Sequence, residues 1–462
     1  MTEKTCERLQ AMPMNRPANS VKEALRLVGA DPVIDGVSRA LVSRSFLLRQ
    51  IWRRFSRGRA RSVAIGMADV LKRYSETAPF ATLPADPYLP KLEPGIAIYG
   101  LFTAEIGIGQ SARRSALALK AAGVPATFHN VAMPRSFESR VEFEVSSAFV
   151  SRYDTALIHL NPDGLLDELR RQPLEAFVGR RRIGFWHWEL PVFPARWAEA
   201  FDKIHEVWTP SSYVARAVAA AGDRPVRVVP HAVHSDLIPQ QLARDALRLP
   251  RQEFFFLTIF DLNSFPMRKN PVGAVRAYLD AFPRAGPSAP RLILKCHGKG
   301  NRDATFDELL ALVHNDQRIK LIDEVFSDEK MRLLQAACDC YVSPHRSEGF
   351  GLNILEGMAI GKPTIATGFS GNMDFMTSEN SIVVPFAMRR VERGEYPHGE
   401  GQWWAEPNHD ALVAALQQTA RQGSEIDALA LKGRNDAMER FSFARVGEIA
   451  RAAWLGQARP LC

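Results

Sequence analysis

Two glutamates, Glu348 and Glu356, enclose a glycine-containing segment that follows an apolar run, CDCYVSP. Glycines in such a loop let the backbone approach a ligand closely and adopt positive φ. Helical spacing begins near Leu352, and the free N–H groups at a helix start favour a diphosphate. One turn inside the helix, the Glu356 carboxylate could accept hydrogen bonds from both hydroxyls of a ribose, and Glu348 could accept them from a sugar. We therefore expect a strand, a loop and a helix that bind sugar, diphosphate and ribose in order.

Two adjacent cations, Arg268 and Lys269, follow a second apolar run, EFFFLTIF, within the sequence FDLNSFPMRKNP. Pro271 is suited to the first turn of the helix that comes next. Positive charges near a helix start are suited to a diphosphate leaving group. The alternative interpretation is a pair of solvated charges on a loop.

A second glycine-containing turn, Gly107-Ile108-Gly109, lies between the apolar run GIAIYGLF and a predicted helix over 110–122. The nicotinamide fingerprint G-x-G-x-x-G is absent because position 112 is alanine, and no acidic residue ends the next predicted strand near FHNVAM. We therefore expect no nicotinamide cofactor. A G-x-G by itself also fits a tight structural turn.

An unusual aromatic string, Trp186-His187-Trp188-Glu189, follows the apolar start RRIGF. Side chains at the carboxyl end of a parallel strand line the crevice of an α/β domain. The two tryptophans could stack on sugar rings or could equally belong to the core. Glu189 is the alternative polar group to His187 at this place.

Short apolar runs alternate with helical segments from Gly95 onward, and the rhythm restarts at EFFFLTIF. Strands separated by helices of this length indicate a parallel sheet with crossover helices. The pattern predicts an α/β fold with two Rossmann-like domains facing a cleft. The predicted parts are a helical and irregular basic extension (1–92), a first Rossmann-like domain on the acceptor side (93–238), a second on the donor side (239–440) and a C-terminal helix that could cross back to the first (441–462).

These strings resemble the E-x7-E region of the large retaining glycosyltransferase family with two Rossmann-like domains, family 4 of the GT-B class. Glu348 to Leu352 match its EGFGL core, Gly361 to Thr364 match its G-x-P-V/T turn, and Gly371-Asn372 match its loop beside the donor. The RKNP variant at 268–271 resembles a subgroup found among bacterial polysaccharide-assembly enzymes. The resemblance covers the two predicted Rossmann-like domains.

The resemblance implies a role for each matching residue. In the family an arginine and a lysine five residues later bind the diphosphate; Lys269 matches the lysine, Ser264 stands at the arginine position, and Arg268 could substitute. The implied catalytic residues are His187, Lys269 and Glu348, and the candidate acceptor or sugar contacts are Trp186, Trp188 and Glu189. The implied donor-binding residues are Gly107, Gly109, Ser264, Arg268, Lys269, Glu348, Gly349, Phe350, Gly351, Leu352, Asn353 and Glu356.

The activity that the resemblance implies is transfer of a sugar, with retention, from a nucleotide diphosphate sugar to a saccharide or lipid-linked acceptor. The family requires no metal, and we expect no cofactor and no metal site. Two alternatives stay open: a nucleotide-sugar epimerase of the same architecture and a non-catalytic sugar-binding protein. The expected setting is bacterial surface polysaccharide assembly.

The net charge of +8 is concentrated between Arg39 and Arg61, where eight arginines and no acidic residue occur. Apolar residues at 47, 48, 51, 52 and 55 follow helical spacing and predict a basic amphipathic helix. Such a helix suits an anionic membrane surface. The alternative is a helix packed on the body of the protein. No nucleic-acid-binding motif accompanies the charge, so we expect no nucleic-acid partner.

Bulk composition favours a globular protein that works in a reduced compartment. Hydrophobic residues make up 46% and charged residues 24% of the 462 residues, and no apolar run of about 18 residues predicts a membrane span. The first residues, MTEKTCERLQ, lack the apolar segment of a secretory signal. The five cysteines are scattered and are interpreted as packed thiols. We therefore expect a cytoplasmic protein, peripheral at the inner membrane surface if the basic helix binds lipid.

Overall fold

The structure is a computed structural model that describes residues 92–131, 141–171, 176–177, 179–283, 286, 289–298, 304–458 and 460. Leu92–Leu166 and Arg180–Cys462 form one compact unit. The predicted basic amphipathic helix between Arg39 and Arg61 lies outside the described residues. So does the rest of the predicted extension up to residue 91.

A six-stranded parallel sheet forms the first Rossmann-like domain, in the order β2-β1-β3-β4-β5-β6. Its strands are β1 (Glu93–Gly100), β2 (Ala126–Asn130), β3 (Tyr153–His159), β4 (Arg181–Phe185), β5 (Glu206–Thr209) and β6 (Val226–Val228). The helices between them are α1 (Gly107–Ala121), α2 (Pro162–Arg171), a 3₁₀ helix (Ala195–Lys203) and α3 (Ser212–Ala219). Parallel neighbours need such crossover connections.

A second six-stranded parallel sheet follows, in the order β12-β11-β10-β7-β8-β9. Its strands are β7 (Phe255–Ile259), β8 (Arg291–Cys296), β9 (Ile319–Asp323), β10 (Cys340–Ser343), β11 (Thr364–Thr367) and β12 (Ile382–Val384). The accompanying helices are α4 (Gln240–Leu247), α5 (Pro266–Lys269), α6 (Pro271–Ala281), α7 (Ala304–His314), α8 (Asp328–Ala337) and α9 (Leu352–Ala359), with 3₁₀ turns at Leu262–Ser264 and Gly371–Asp374. The predicted fold of two Rossmann-like domains is confirmed.

An antiparallel hairpin and three helices complete the described chain. The hairpin pairs β13 (Phe386–Arg390) with β14 (Trp403–Pro407). The helices are α10 (His409–Ala420), α11 (Ser424–Phe441) and α12 (Phe443–Trp454). Asn408 caps α10, because its side-chain oxygen accepts a 2.8 Å hydrogen bond from the Ala411 N–H.

The last helix, α12, packs on α1 of the first domain. An added Cβ at Gly447 would lie 2.2 Å from the Ala118 carbonyl oxygen, so the two helices approach at backbone distance. The Trp454 indole N–H donates to the Thr155 hydroxyl across 3.0 Å and fixes the end of α12 on β3. The chain therefore returns from the second domain to the first.

The apolar runs form the cores of the two sheets. Ile96 and Ile98 of β1 are fully buried, as Phe256 of β7 is. Cys296, Cys338 and Cys340 are buried free thiols, which confirms the packed-thiol interpretation for these three. Among the described residues, no helix combines the length and the apolar composition that crossing a membrane requires.

The strand orders locate the crevices of the two sheets. A ligand of an open parallel sheet binds beyond the carboxyl ends of its strands, where the strand order reverses. In the second sheet this point lies between β7 and β10, because β8 and β11 extend away from them on opposite sides. The loops that follow β7 and β10 therefore meet, and they carry the two predicted charged motifs.

Candidate functional site

The loop that leads into α9 has one tightly held backbone conformation. Gly351 precedes the helix with a φ of 91°, in the left-handed region that favours glycine, and α9 begins at Leu352 as predicted. The Gly371 N–H donates to the Glu348 carbonyl across 2.9 Å. An added Cβ at Gly371 would lie 2.2 Å from the Gly349 carbonyl oxygen. The two glycine-containing loops therefore support each other at backbone distance.

The side chains along this loop and the first turn of α9 differ in burial. Phe350 is buried, and its ring lies edge-on to His231 at a centroid distance of 5.0 Å and beside Phe375. Only the backbone of Phe350 is therefore available to contact a bound donor substrate. Leu352 and Asn353 are half-buried in the first turn of α9.

The Glu348 carboxylate pairs with both predicted cations. One of its oxygens lies 3.0 Å from the Arg268 guanidinium, and the other contacts the Lys269 ammonium group. Glu348 follows β10 and the two cations follow β7, the neighbouring strands at which the strand order reverses. The fold thus brings together two motifs that are about eighty positions apart in the chain.

This cluster is buried and places one carboxylate against two basic side chains. Burial by itself would raise the pKa of Glu348, but Lys269 and Arg268 hold it at about 2. Burial lowers the pKa of Lys269, and Glu348 opposes that shift. Burial would also lower the pKa of Arg268, yet Glu348 and Glu189 raise it overall. Glu348 and Arg268 are therefore charged at neutral pH.

The two cations differ in accessibility. Arg268 is 4% exposed, and its guanidinium donates to the Ser347 carbonyl across 2.9 Å, so it braces the loop before α9. The Lys269 side chain is 17% exposed. Because both cations are held in ion pairs, the interpretation as solvated loop charges is wrong. Ser264 lies in a 3₁₀ turn, where its hydroxyl donates to the Asp261 carbonyl across 3.2 Å.

Glu356 projects from the second turn of α9 toward the first domain. Its Oε1 atom accepts a hydrogen bond from the Arg114 guanidinium of α1, and its Oε2 atom accepts one from the Gln335 side-chain amide across 2.7 Å. A surface pocket beside it is lined by Arg114, His234, Asp236, Ile238, Arg332, Gln335, Ala336, Glu356 and Ile360. Glu356 therefore lies at a junction between the two domains.

The two glycines of the predicted turn, Gly107 and Gly109, lie inside a helix. Helix α1 begins at Gly107, so the predicted helix start at 110 is wrong, and both glycines belong to the first helical turn. An added Cβ at Gly107 would meet nothing within 4 Å, whereas one at Gly109 would lie 2.5 Å from the Leu101 carbonyl oxygen. Packing therefore requires glycine only at Gly109, and Gly107 is exposed at the helix start.

His187 belongs to a cluster of three histidines around Phe185. Its Nε2 atom lies 3.3 Å from Nε2 of His231, and its backbone N–H donates to the Asn161 side chain across 2.9 Å. The ring of His159 stacks on Phe185 at a centroid distance of 4.3 Å. Burial lowers the pKa of His187 to about 4, and it also lowers the pKa values of His159 and His231 well below their usual value of 6.5. The three histidines are neutral at pH 7.

Trp186 and Trp188 belong to the core. Trp186 is fully buried and stacks on Phe193 at a centroid distance of 5.6 Å. Trp188 is 3% exposed, and its indole N–H donates to the Val192 carbonyl across 2.8 Å. Of the two alternatives for these rings, stacking on a sugar or a place in the core, the structure shows the core position, because neither ring presents an open face.

Glu189 is held between the two domains. Its carboxylate accepts a 2.6 Å hydrogen bond from the Tyr396 hydroxyl, and its carbonyl accepts one from the Ser347 hydroxyl. Tyr396 lies on the loop between β13 and β14, which we call the hairpin loop (391–402). In the same loop, the Gln402 side chain bonds both the N–H and the carbonyl of Val192, at 2.9 and 3.1 Å. The hairpin loop thus reaches from the second domain to the first.

Further polar contacts join the domains beside the glycine loops. The Ser211 hydroxyl donates to the Gly349 carbonyl across 2.5 Å. The Ser212 backbone N–H donates to the Asp374 carboxylate across 2.7 Å. These contacts place the amino end of α3 directly against the loop before α9.

The structure therefore assembles part of the predicted set. Arg268, Lys269 and Glu348 form one cluster, with Glu189 next to it, whereas Glu356 pairs elsewhere. Sequence reasoning missed Arg114, Gln335 and Tyr396. Arg114 lies in the helical segment that follows the predicted glycine turn, so the sequence could have placed it on a helix. No residue near it in the sequence indicates that its partner is Glu356. Among the described residues, no group of three or more His, Cys, Asp or Glu side chains could hold a metal ion.

A known protein family matches the part of the chain that contains the Glu348 cluster. Residues 266–390 match the family described as Glycosyl transferases group 1. That span contains Arg268, Lys269, Glu348 and Glu356. No curated protein matches the chain by sequence.

Solved structures share the whole two-domain fold. Sucrose-phosphate synthase from Thermosynechococcus elongatus has a TM-score of 0.56 at 17% identity, covering 79% of this chain and 99% of that one. Anabaena HepE, solved in complex with UDP and glucose, has a TM-score of 0.57 at 16% identity, covering 79% of this chain and 100% of that one. A glycosyltransferase from Rickettsia africae ESF-5 has a TM-score of 0.54 at 14% identity, covering 79% and 99%.

The structural likeness shows the GT-B fold, and the family match covers part of the second domain. Together they support a GT-B glycosyltransferase, and the predicted enzyme class, a transferase, is confirmed.

Proposed function

We propose that this chain transfers a sugar from a nucleotide diphosphate sugar to a saccharide or lipid-linked acceptor, with retention of the anomeric configuration, as in the family 4 enzymes that it resembles. The observation that carries the proposal is the buried cluster of Glu348, Arg268 and Lys269 beside the start of α9. It combines a carboxylate for sugar hydroxyls with a cation and helix N–H groups for a diphosphate. Because HepE was solved with UDP and glucose bound, a UDP-sugar is the first donor to test.

In the proposed reaction, the bond from the anomeric carbon to the diphosphate breaks, and a bond to the acceptor oxygen forms on the same face of the sugar. The leaving diphosphate takes the acceptor proton. Lys269 and the N–H groups of α9 stabilise the charge that develops on the diphosphate. Glu348 orients the sugar, and Glu356 binds the ribose. No protein nucleophile is needed. The rate enhancement comes from positioning of the substrates and from electrostatic stabilisation of the transition state.

The other predicted residues take supporting roles in this proposal. Lys269 is the more exposed of the two cations, so it can turn from Glu348 to an entering diphosphate. Arg268 keeps the loop before α9 in place. His187, neutral at pH 7, is assigned as a hydrogen-bonding contact of the transferred sugar. The reaction as proposed uses no cofactor and no metal, and turnover should therefore persist in EDTA.

The first experiment measures nucleoside diphosphate release by purified protein from UDP-, GDP- and ADP-sugars. Thermal shift with the same compounds selects the donor, because a bound ligand raises the melting temperature. Lys269→Ala and Glu356→Ala should each lower turnover by about a hundredfold or more. Arg276→Ala is the matched control. Arg276 lies on α6, and the substitution removes its exposed ion pair with Glu308. Turnover by both variants at the wild-type rate would refute the assignment.

The same assay separates the alternatives. An epimerase would change the sugar without an acceptor, and a non-catalytic protein would bind the nucleotide sugar without turnover. The anomeric proton coupling in the NMR spectrum of the product tests retention. An inverted product would contradict the proposed mechanism while leaving sugar transfer intact.

We also propose that the protein works in bacterial polysaccharide assembly, because its RKNP variant at 268–271 resembles enzymes of that process. We place it at the inner membrane surface, because the arginine-rich segment within 38–62 suits anionic lipid. Deleting residues 38–62 should abolish co-sedimentation with phosphatidylserine vesicles at low salt. Unchanged sedimentation would end this part of the proposal without affecting the catalytic part.

A further inference from the structure

The Glu356 carboxylate is held from two sides by residues of different domains. Arg114 of α1 bonds one oxygen, and Gln335 of α8 bonds the other across 2.7 Å. The Glu356 side chain is 12% exposed and faces the pocket described above. Its position is therefore set by two partners and not by α9 alone.

These partners leave acceptor capacity on the carboxylate. An ionised carboxylate has two oxygens with about four lone-pair sites in total. Arg114 and Gln335 occupy one site on each oxygen, so one site remains on each. Two neighbouring acceptors on one rigid carboxylate match the two O–H donors of a vicinal diol such as a ribose.

Arg114 is itself fixed. It is 6% exposed, and its guanidinium donates to the Ala232 carbonyl across 2.5 Å as well as to Glu356. The Nε atom is buried without a hydrogen-bond partner. Removing the carboxylate would leave this guanidinium buried without a counter-charge, which is strongly unfavourable. The pair is therefore a built-in contact between α1 and α9 and not a loose surface ion pair.

We infer that Arg114 and Gln335 are positioning residues that orient Glu356 for a nucleotide ribose, and that Arg114 makes recognition of the 2′,3′-diol depend on the first domain. The inference rests on the proposed ribose role of Glu356. It assigns a donor-recognition function to a first-domain residue on the side of the cleft opposite the cluster of Glu348, Arg268 and Lys269.

The test compares a ribonucleotide with its 2′-deoxy counterpart by calorimetry, using the tightest binder among UDP, GDP and ADP. The wild-type protein should prefer the ribonucleotide by about tenfold, because the deoxy form leaves one acceptor of Glu356 unpaired. Arg114→Met and Gln335→Met should each reduce that ratio to about threefold or less by weakening ribonucleotide binding more than deoxynucleotide binding. A role in folding alone would weaken both ligands equally.

Arg332→Met is the matched control. It removes a cation from the same pocket, and Arg332 pairs with Asp236 and not with Glu356. It should keep the wild-type ratio. Loss of the ratio in this variant would mean that overall pocket charge, and not the contact with Glu356, governs the discrimination, which would overturn the inference.

The outcomes separate the two proposals. A wild-type protein that binds both nucleotides equally would refute the ribose role of Glu356, and with it that part of the proposed function. A wild-type protein that discriminates, together with an Arg114→Met variant that keeps the ratio, would refute only the inference. If circular dichroism shows Arg114→Met to be unfolded, Gln335→Met decides, because Gln335 contacts the same carboxylate from within the second domain.

Discussion

The Tyr396 hydroxyl donates a 2.6 Å hydrogen bond to the Glu189 carboxylate, and this bond links the hairpin loop of the second domain to the first. Next to it, Gly399 packs closely on Leu190, since an added Cβ would lie 3.0 Å from that side chain. Burial raises the pKa of Tyr396, and the negative charge of Glu189 raises it further, so the hydroxyl keeps its proton and remains a donor. The hairpin loop therefore covers the side of the cleft where Glu189 lies beside the Glu348 cluster.

Tyr396→Phe should loosen the hairpin loop. A hydrogen bond to a charged group contributes roughly 1.5–3 kcal/mol, so amide exchange at Val192, whose N–H bonds Gln402, should accelerate by about tenfold or more. Hydrogen exchange followed by mass spectrometry measures this. Arg393→Ala alters an exposed residue of the same loop and should leave the rate unchanged. Equal exchange in the Tyr396→Phe variant and the wild type would show that this bond does not hold the loop.

Removing each of the two adjacent cations should affect stability and nucleotide binding to different extents. Arg268→Met should lower the free energy of unfolding by about 3 kcal/mol, because it breaks a buried ion pair and a bond to the Ser347 carbonyl. Lys269→Met should destabilise less, because Arg268 still neutralises Glu348, but it should weaken binding of the nucleoside diphosphate more. Denaturant titration and calorimetry on both variants test the contrast. The reverse pattern would mean that Arg268, and not Lys269, is the main phosphate contact.

Glu348 should make the protein sensitive to acid in a defined window. Its pKa is lowered from 4.5 to about 2 in the fold, so the unfolded chain binds more protons between these values. The stabilisation is complete above pH 4.5 and is lost as the pH falls toward 2. Urea unfolding of Glu348→Gln should therefore show a weaker pH dependence in this window than the wild type, and about 3 kcal/mol less stability at pH 7. Parallel pH curves would contradict the prediction.

The histidine cluster should destabilise the fold at mildly acidic pH. Burial lowers the pKa of His187 from 6.5 to about 4, so the unfolded state takes up its proton first. Stability should therefore fall as the pH falls from 6.5 toward 4. In the folded protein, the His187 ring-proton resonance should not titrate between pH 8 and 5. A midpoint near 6.5 would show that the ring is solvated and would remove His187 from the buried cluster.

Much of the architecture could be predicted because it depends on local properties. The run EFFFLTIF indicates a buried strand, and glycine at 351 with helical spacing from Leu352 indicates a helix start; the structure has both. The start of α1 was misplaced because Gly107 and Gly109 disfavour a helix by their own propensity. Packing overrode that preference, since α1 lies against α12 and Gly109 fits closely against the Leu101 carbonyl.

The order of strands and helices, the two-domain pattern and the charged motifs of the second domain follow from the sequence. What those charges contact depends on tertiary packing, which pairs Glu348 with Arg268 and Lys269, Glu356 with Arg114, and Glu189 with Tyr396. Helical spacing and positive φ are properties of neighbouring residues, so they can be read along the chain. The contact between Arg114 and Glu356 joins positions 242 residues apart. Such a pair forms only when both domains fold and pack, because nothing local to either residue specifies the other.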